Sequence, residues 1–134
     1  NLNLGFNFNI FCPEAYYIKY QKKLELNNLK FNLNNIVHHK IETDVLNSAD
    51  AILTDTWQSM GEDVNNNELI ELNGFCVTQE LFDRAKNDCL FMHCLPASRG
   101  QEVAETVIDG PNSRIWAEAK NRLFIQRQIL RELL

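Results

Sequence analysis

Two short apolar runs, each cut off by a polar string, constrain this chain more than any other feature. Ala51-Ile52-Leu53-Thr54 leads into Asp55-Thr56-Trp57-Gln58-Ser59-Met60-Gly61, and Cys89-Leu90-Phe91-Met92-His93 leads into Cys94-Leu95-Pro96. Runs this short fit buried strands better than helices. The second is almost wholly apolar, as expected of a parallel strand covered on both faces. Open α/β sheets bind ligands beyond the carboxyl ends of their strands, so both polar strings lie where such a fold presents chemistry.

The same alternation runs through the rest of the chain. Phe6 to Cys12 reads as a strand stopped at Pro13, and Pro13-Glu14-Ala15 opens a helix through Tyr16, Tyr17, Tyr20 and Leu24. Leu26 to Asn35 is dense in asparagine, but Leu26, Leu29, Phe31 and Leu33 set it apart from a disordered linker. Ile36-Val37-His38 is a second strand, and Thr43 caps a helix over Asp44 to Ser48. Asn65 to Leu72 is a polar helix or loop closed by Asn73-Gly74, followed by a brief extended segment, Phe75-Cys76-Val77. Thr78 caps a helix through Leu81, Phe82 and Ala85, and Asp109-Gly110-Pro111 is a turn. Ser113 to Leu134 reads as one long helix with Trp116, Ala119, Leu123, Ile125, Ile129, Leu130 and Leu133 in a broad apolar band. Strands alternating with helices predict an open parallel α/β sheet flanked by helices, and 134 residues give room for a single domain, 1–134.

Composition narrows the function classes. A net charge of -5 argues against a broad basic surface for nucleic acid. No apolar run reaches the roughly eighteen residues of a membrane-spanning helix. Asn1-Leu2-Asn3-Leu4-Gly5 has neither the basic region nor the cleavage site of a signal peptide. Cys12, Cys76, Cys89 and Cys94 include no C-x-x-C pair, and the first three fall in or beside apolar runs. The expectation is reduced thiols in an intracellular protein.

Several side chains have two readings. Asp55, the first polar residue after its strand, is suited either to binding an amine or to capping the following turn. Ser59, with Met60 and Gly61, fits a tightly turned loop near a ligand, although Met60 alone is also ordinary core filler. Cys94 occupies the equivalent position on its own strand, where its sulfur needs partial exposure and suitable neighbours to react. Adjacent strand residues point to opposite faces, so His93 and Cys94 are not expected to form a dyad. His93 has no partners at zinc-site spacing, and Leu95-Pro96 is a candidate cis peptide. Arg122 either clamps an anion with its planar fork or is a solvated helix-face arginine.

These strings, in this order, resemble the ornithine carbamoyltransferases. The stretch Ala49 to Gly61 is similar to that family's strand and substrate loop, and Met92 to Val103 to its second active-site segment. Val107-Ile108-Asp109-Gly110-Pro111-Asn112-Ser113 and Asn121-Arg122 continue the likeness. It is clear from Ala49 to Leu134 and weaker from Leu4 to Lys40. Ser59-Met60-Gly61 is the string that separates ornithine enzymes from aspartate carbamoyltransferases, which share the fold.

The resemblance implies a Rossmann-like ornithine-binding domain and carbamoyl transfer from carbamoyl phosphate to the δ-amino group of L-ornithine. Asp55 and Ser59, with the backbone at Met60, would hold the α-amino and α-carboxylate end of ornithine. Cys94 would lie between ornithine and the carbamoyl group as proton acceptor, with Leu95 contributing its carbonyl. Arg122 would help bind carbamoyl phosphate. No metal or organic cofactor is implied. The full enzymes are typically homotrimers, cytoplasmic in bacteria and in the mitochondrial matrix in eukaryotes.

Departures from the family pattern set further expectations. The Ser-x-Arg-Thr-Arg and His-Pro-x-Gln strings of the carbamoyl-phosphate domain are absent from this sequence, as is the Asp-Gly-Asn-Asn string of the first ornithine-domain strand. The chain is thus read as an amino-terminally truncated ornithine-binding part, with the final helix, about 113–134, meeting a carbamoyl-phosphate domain outside it. Lys120 stands where the family usually has glutamate before Asn-Arg. A competing reading is a non-catalytic remnant or interaction module that keeps the fold. A carbamoyltransferase for putrescine fits less well, because putrescine has no α-carboxylate for Ser59-Met60-Gly61 to hold.

Overall fold

The structure is a computed structural model that describes residues 7–26, 36–38, 40–41, 43–58 and 70–134. Strand β1 (Asn9–Phe11) runs into helix α1 (Glu14–Leu26), strand β2 (Ile36–His38) into helix α2 (Thr43–Leu46), and strand β3 (Ala51–Thr54) into the polar string at Asp55. Residues 70–72 are helical and lead into a 3-10 turn, Asn73–Phe75. Helix α3 (Gln79–Phe82), strand β4 (Leu90–His93), helix α4 (Glu105–Ile108) and helix α5 (Ile115–Leu133) complete the order.

Parallel pairing throughout agrees with the α/β expectation. It comes as two two-stranded ladders, β1 with β2 and β3 with β4. Asn9 faces Ile36 and Phe11 faces His38 in the first; Ala51 faces Leu90 and Thr54 faces His93 in the second. The first ladder is closed by side chains as well as backbone. The Phe11 and His38 rings stack with centroids 4.7 Å apart, and His38 Nε2 lies 3.0 Å from Asn9 Oδ1. The Pro13 carbonyl accepts from the Tyr16 and Tyr17 amides, which fixes the first turn of α1.

The core gathers around β4. Phe91, Cys89, Val103, Val107, Ile108 and Ile115 are buried together, with Val77, Phe82 and Ala85 completing the cluster. Phe82 meets Phe91 edge-on, ring centroids 6.4 Å apart, the geometry aromatic quadrupoles favour. Both edges of β4 are occupied: β3 lies along one, and on the other Phe91 N–H donates to Asn112 O while Arg114 N–H donates to Phe91 O. The Asn112 side chain adds bonds to the Asn87 and Cys89 carbonyls at 3.1 and 3.0 Å. The second edge of β3 has no partner among the described residues, and Leu53 on that strand is 62% exposed.

Several local expectations change. Cys12 lies beyond β1, and α2 takes in Thr43 and ends at Leu46, so Asn47 and Ser48 fall in the following turn. β4 is not covered equally on both faces, because Phe91 and His93 are buried whereas Leu90 is exposed and Met92 half-buried. Phe75 belongs to the 3-10 turn, and extended pairing is confined to Val77, which bridges Val103. Thr78 does cap its helix, accepting from Leu81 N–H at 3.2 Å, but the helix ends at Phe82 and Ala85 lies in the following turns. The last helix begins at Ile115, since Ser113 is drawn into the bridge with Phe91. Its apolar band faces outward: Trp116, Leu123, Phe124, Ile125, Ile129, Leu130 and Leu133 are each more than half exposed, and only Ile115 is buried.

Gly110 closes the turn between α4 and the segment that pairs with β4. A Cβ there would stand 2.6 Å from the Thr106 carbonyl oxygen and 3.2 Å from that of Val107. Backbone atoms cannot swing aside as a flexible side chain can, so the turn must open to admit a methyl group. Gly110→Ala is expected to destabilise the chain by about 1–3 kcal/mol, read as a lower urea midpoint. An unchanged midpoint would mean that the close approach is relieved without cost.

Candidate functional site

The two polar strings meet. Asp55 follows β3 and Cys94 follows β4, so the parallel register that pairs Thr54 with His93 brings their side chains together. Cys94 Sγ donates to Asp55 Oδ1 at 2.8 Å across 39 residues of sequence. The same Asp55 oxygen accepts from the Thr56 amide at 2.7 Å. Asp55 thus caps the turn that follows it and also contacts Cys94, the first residue beyond β4.

Arg122 completes the cluster from α5. Its Nη1 donates to the Cys94 carbonyl at 3.0 Å, and a guanidinium's other N–H groups leave capacity for an anion. Arg122 is an exposed residue of the helix that also makes this one defined tertiary contact. An open groove of about 470 Å³ is lined by Cys94, Leu95, Pro96, Ala119, Arg122, Leu123 and Gln126. Lys120 points elsewhere, with Nζ 6.0 Å from the Phe124 ring centroid, a cation–π arrangement. Ser59 and Met60 lie outside the described residues.

Burial pushes the Cys94 thiol up to about 11, helped by the hydrogen bond to Asp55 and by the negative charges of Asp55 and Glu118; Arg122 acts in the opposite direction. At neutral pH the pair is a protonated thiol donating to a carboxylate. Cys94 as it stands holds its proton.

The turn carrying Cys94 is constrained from below. Leu95 has φ 57 and is joined to Pro96 by a cis peptide bond. A left-handed backbone costs a non-glycine residue roughly 1–2 kcal/mol, so surrounding contacts must hold Leu95 there. Its amide donates to His93 Nδ1 at 2.9 Å. His93 thus contacts the residue beyond Cys94 and not the thiol, in keeping with alternating strand faces. His93 and Glu102 are fully buried, with Nε2 and Oε1 3.3 Å apart, and Glu102 Oε1 also accepts from the Ser98 amide.

Sequence reasoning did not single out Glu102 or Glu118. Glu118 had a usable signal, because it sits four residues before Arg122 on one helix face. Glu102 had none; a glutamate after Gly100-Gln101 reads as surface, and only the folded return of the loop buries it. Among the described residues no cluster of three metal-ligating side chains is present, and no helix is long and apolar enough to cross a membrane.

Parallel ladders with a polar cluster beyond their carboxyl ends define an α/β domain of ligand-binding type. The profile described as "Aspartate/ornithine carbamoyltransferase, Asp/Orn binding domain" matches residues 2–133, and the chain belongs to that family. An ornithine carbamoyltransferase from Wolinella succinogenes is 40% identical over 134 aligned residues, covering 95% of this chain and 42% of that protein. The crystal structure of an anabolic ornithine carbamoyltransferase from Campylobacter jejuni superposes with a TM-score of 0.73 at 29% identity, covering 97% of this chain and 43% of the other. The enzyme from Pyrococcus furiosus gives a TM-score of 0.63 at 37% identity over 88% of this chain and 37% of its own. The chain thus spans about two fifths of the length of these relatives.

Weakening the Asp55 contact should free the thiol. Asp55→Asn removes the carboxylate charge but leaves burial, so Cys94 alkylation at pH 8 should accelerate by roughly threefold to tenfold. Peptide mass spectrometry with Cys12 and Cys76 as internal references reads this directly. No acceleration at Cys94 would show that Asp55 does not hold its proton.

Proposed function

We propose that this chain supplies the ornithine-binding part of an ornithine carbamoyltransferase, acting with a carbamoyl-phosphate-binding domain that is not part of this sequence. The observation that carries the reading is the convergence of Asp55, Cys94 and Arg122 from β3, β4 and α5, two contacts that span 39 and 28 residues. Family membership supports it.

In this reading Asp55 and Ser59, with the Met60 backbone, hold the α-ammonium and α-carboxylate of L-ornithine. That leaves the δ-amine directed past Cys94 toward carbamoyl phosphate, which Arg122 and the Leu95 carbonyl help to position. The neutral δ-nitrogen attacks the carbamoyl carbon and forms a C–N bond. The bond to the phosphate oxygen breaks, phosphate keeps the electron pair, and the nitrogen loses a proton to give L-citrulline. Catalysis then rests on placement and on donors that meet developing negative charge.

The raised Cys94 thiol fits this scheme in one order of events only. While Asp55 is free, burial together with the hydrogen bond to its carboxylate holds the proton on sulfur. Once a substrate ammonium pairs with Asp55, the acceptor is occupied and a positive charge lies near the sulfur, both of which favour thiolate. Substrate binding thereby prepares Cys94 as the proton acceptor, whereas a resting thiolate would be exposed to oxidation.

The outward apolar band of α5 and the edge of β3 that has no partner among the described residues are the surfaces on which the carbamoyl-phosphate domain and a preceding strand would pack. Homotrimeric assembly, cytoplasmic or mitochondrial-matrix location, and a place in arginine synthesis belong to the same proposal. A non-catalytic module is the second reading, favoured by the extent of exposed apolar surface on the chain alone.

Citrulline formation from ornithine and carbamoyl phosphate distinguishes the two. The chain alone should be silent. Mixed with a separately expressed carbamoyl-phosphate domain that includes the preceding strand, it should turn over, and Cys94→Ala or Asp55→Ala should reduce kcat/KM by about 10²-fold or more. Assembly without turnover would support the non-catalytic reading.

A further inference from the structure

Two buried ionisable side chains lie directly beneath the Cys94 turn and have no part in the chemistry above. His93, the last residue of β4, and Glu102, on the return of the loop, are both fully buried. Each receives one backbone amide of that turn: Leu95 N–H donates to His93 Nδ1 at 2.9 Å, and Ser98 N–H donates to Glu102 Oε1. Because Nδ1 accepts a hydrogen bond, the ring proton resides on Nε2. That nitrogen lies 3.3 Å from Glu102 Oε1, a close polar contact without hydrogen-bond alignment, and among the described residues neither Nε2 nor Glu102 Oε2 has a hydrogen-bond partner.

We propose that His93 and Glu102 form a buried positioning pair that fixes the 94–98 turn, and through it the placement of the Cys94 thiol against Asp55 and of the Cys94 carbonyl against Arg122. His93 secures the residue after Cys94, and Glu102 secures the far end of the same turn. Their mutual contact joins the two anchor points below the backbone. Glu102 is itself tied to neighbouring backbone, since its carbonyl accepts from Val77 N–H at 3.0 Å and Val103 forms isolated bridges with both Val77 and Arg99.

The arrangement explains why polar groups occupy a site an apolar pair would fill more simply. An apolar residue at the buried position 93 would offer no acceptor to the Leu95 amide. Leu95 would then lose the bond that holds φ 57, and the turn would relax toward an ordinary backbone. Cys94 would leave Asp55 without any change in its own chemistry. His93 and Glu102 therefore act through the turn and do not touch substrate.

The test uses the whole chain and needs no turnover. Alkylation of Cys94 is followed by mass spectrometry in the wild type, His93→Leu, His93→Asn and Glu102→Gln, with Cys12 and Cys76 as references. In His93→Leu a relaxed Cys94 becomes more ionised but somewhat less nucleophilic, for a net gain of roughly tenfold. His93→Asn places an amide oxygen where Nδ1 stood and should stay within about threefold of wild type, by restoring the acceptor. Glu102→Gln keeps an acceptor for Ser98 and most of the packing, so it remains informative if His93→Leu fails to fold. Removing the carboxylate's attraction for His93 Nε2–H should move the Cys94 rate in the same direction by a smaller factor. Folded variants with an unchanged Cys94 rate would overturn the proposal, as would an equal gain in His93→Asn and His93→Leu.

A second measurement rests on the proposed function. In the assembled enzyme His93→Leu should lower kcat while leaving KM for ornithine nearly unchanged, because the loss falls on alignment and not on the groups that bind the amino acid. A wild-type assembly without turnover would refute that functional reading, and the alkylation rates would still decide the role of the pair.

Discussion

Everything at the candidate site depends on β4 being held along both edges. β3 pairs with it on one side, and the 112–114 segment on the other. Between them Phe91 sits at the centre of the core. A strand fixed in this way has a defined carboxyl end, so the turn from Cys94 to Ser98 starts from a rigid base. The same pairing sets where Asp55 falls, because Thr54 opposite His93 leaves Asp55 opposite Cys94. One register thus places the carboxylate and the thiol within a hydrogen bond of each other, and a slip by one residue would separate them.

The electrostatics follow from that placement. A half-buried thiol beside one carboxylate, with a second acidic side chain nearby, keeps its proton, and the single guanidinium on α5 does not reverse the balance. Arg122 reaches the turn through the Cys94 carbonyl, so the helix that carries the guanidinium is coupled to the geometry of the thiol's backbone. These couplings make the three residues one unit, and single substitutions at them should not add independently.

Much of this was legible in the sequence, and the remainder failed for identifiable reasons. β2 and β3 matched their apolar runs residue for residue, because short strands bounded by polar strings leave little choice of boundary. Asp55, Cys94 and Arg122 were singled out from strand ends and residue chemistry, but only the resemblance joined them. The beginning of the last helix was misplaced by two residues, since Ser113 is taken by a bridge to Phe91 that local propensity does not encode. β4 was expected to be covered evenly because its composition is uniform; which face is buried depends on tertiary neighbours. Glu102 was invisible, as any buried acid is when its only partners are a distant histidine and a backbone amide.

The edge of β3 that has no partner among the described residues and the apolar outer face of α5 are costly features for a chain on its own, since open edges and large apolar patches invite association. They are consistent with a chain whose site is finished by another domain, and that is the central claim to test. The most direct measurement is heteronuclear NMR of the labelled chain assembled with a carbamoyl-phosphate domain, titrated with L-ornithine and, separately, with putrescine. Ornithine is expected to shift the amides of Thr56, Cys94 and Leu95 saturably, and putrescine, which lacks the α-carboxylate, to leave them largely in place. Equal shifts with both amines, or ornithine shifts confined to other parts of the chain, would contradict the account.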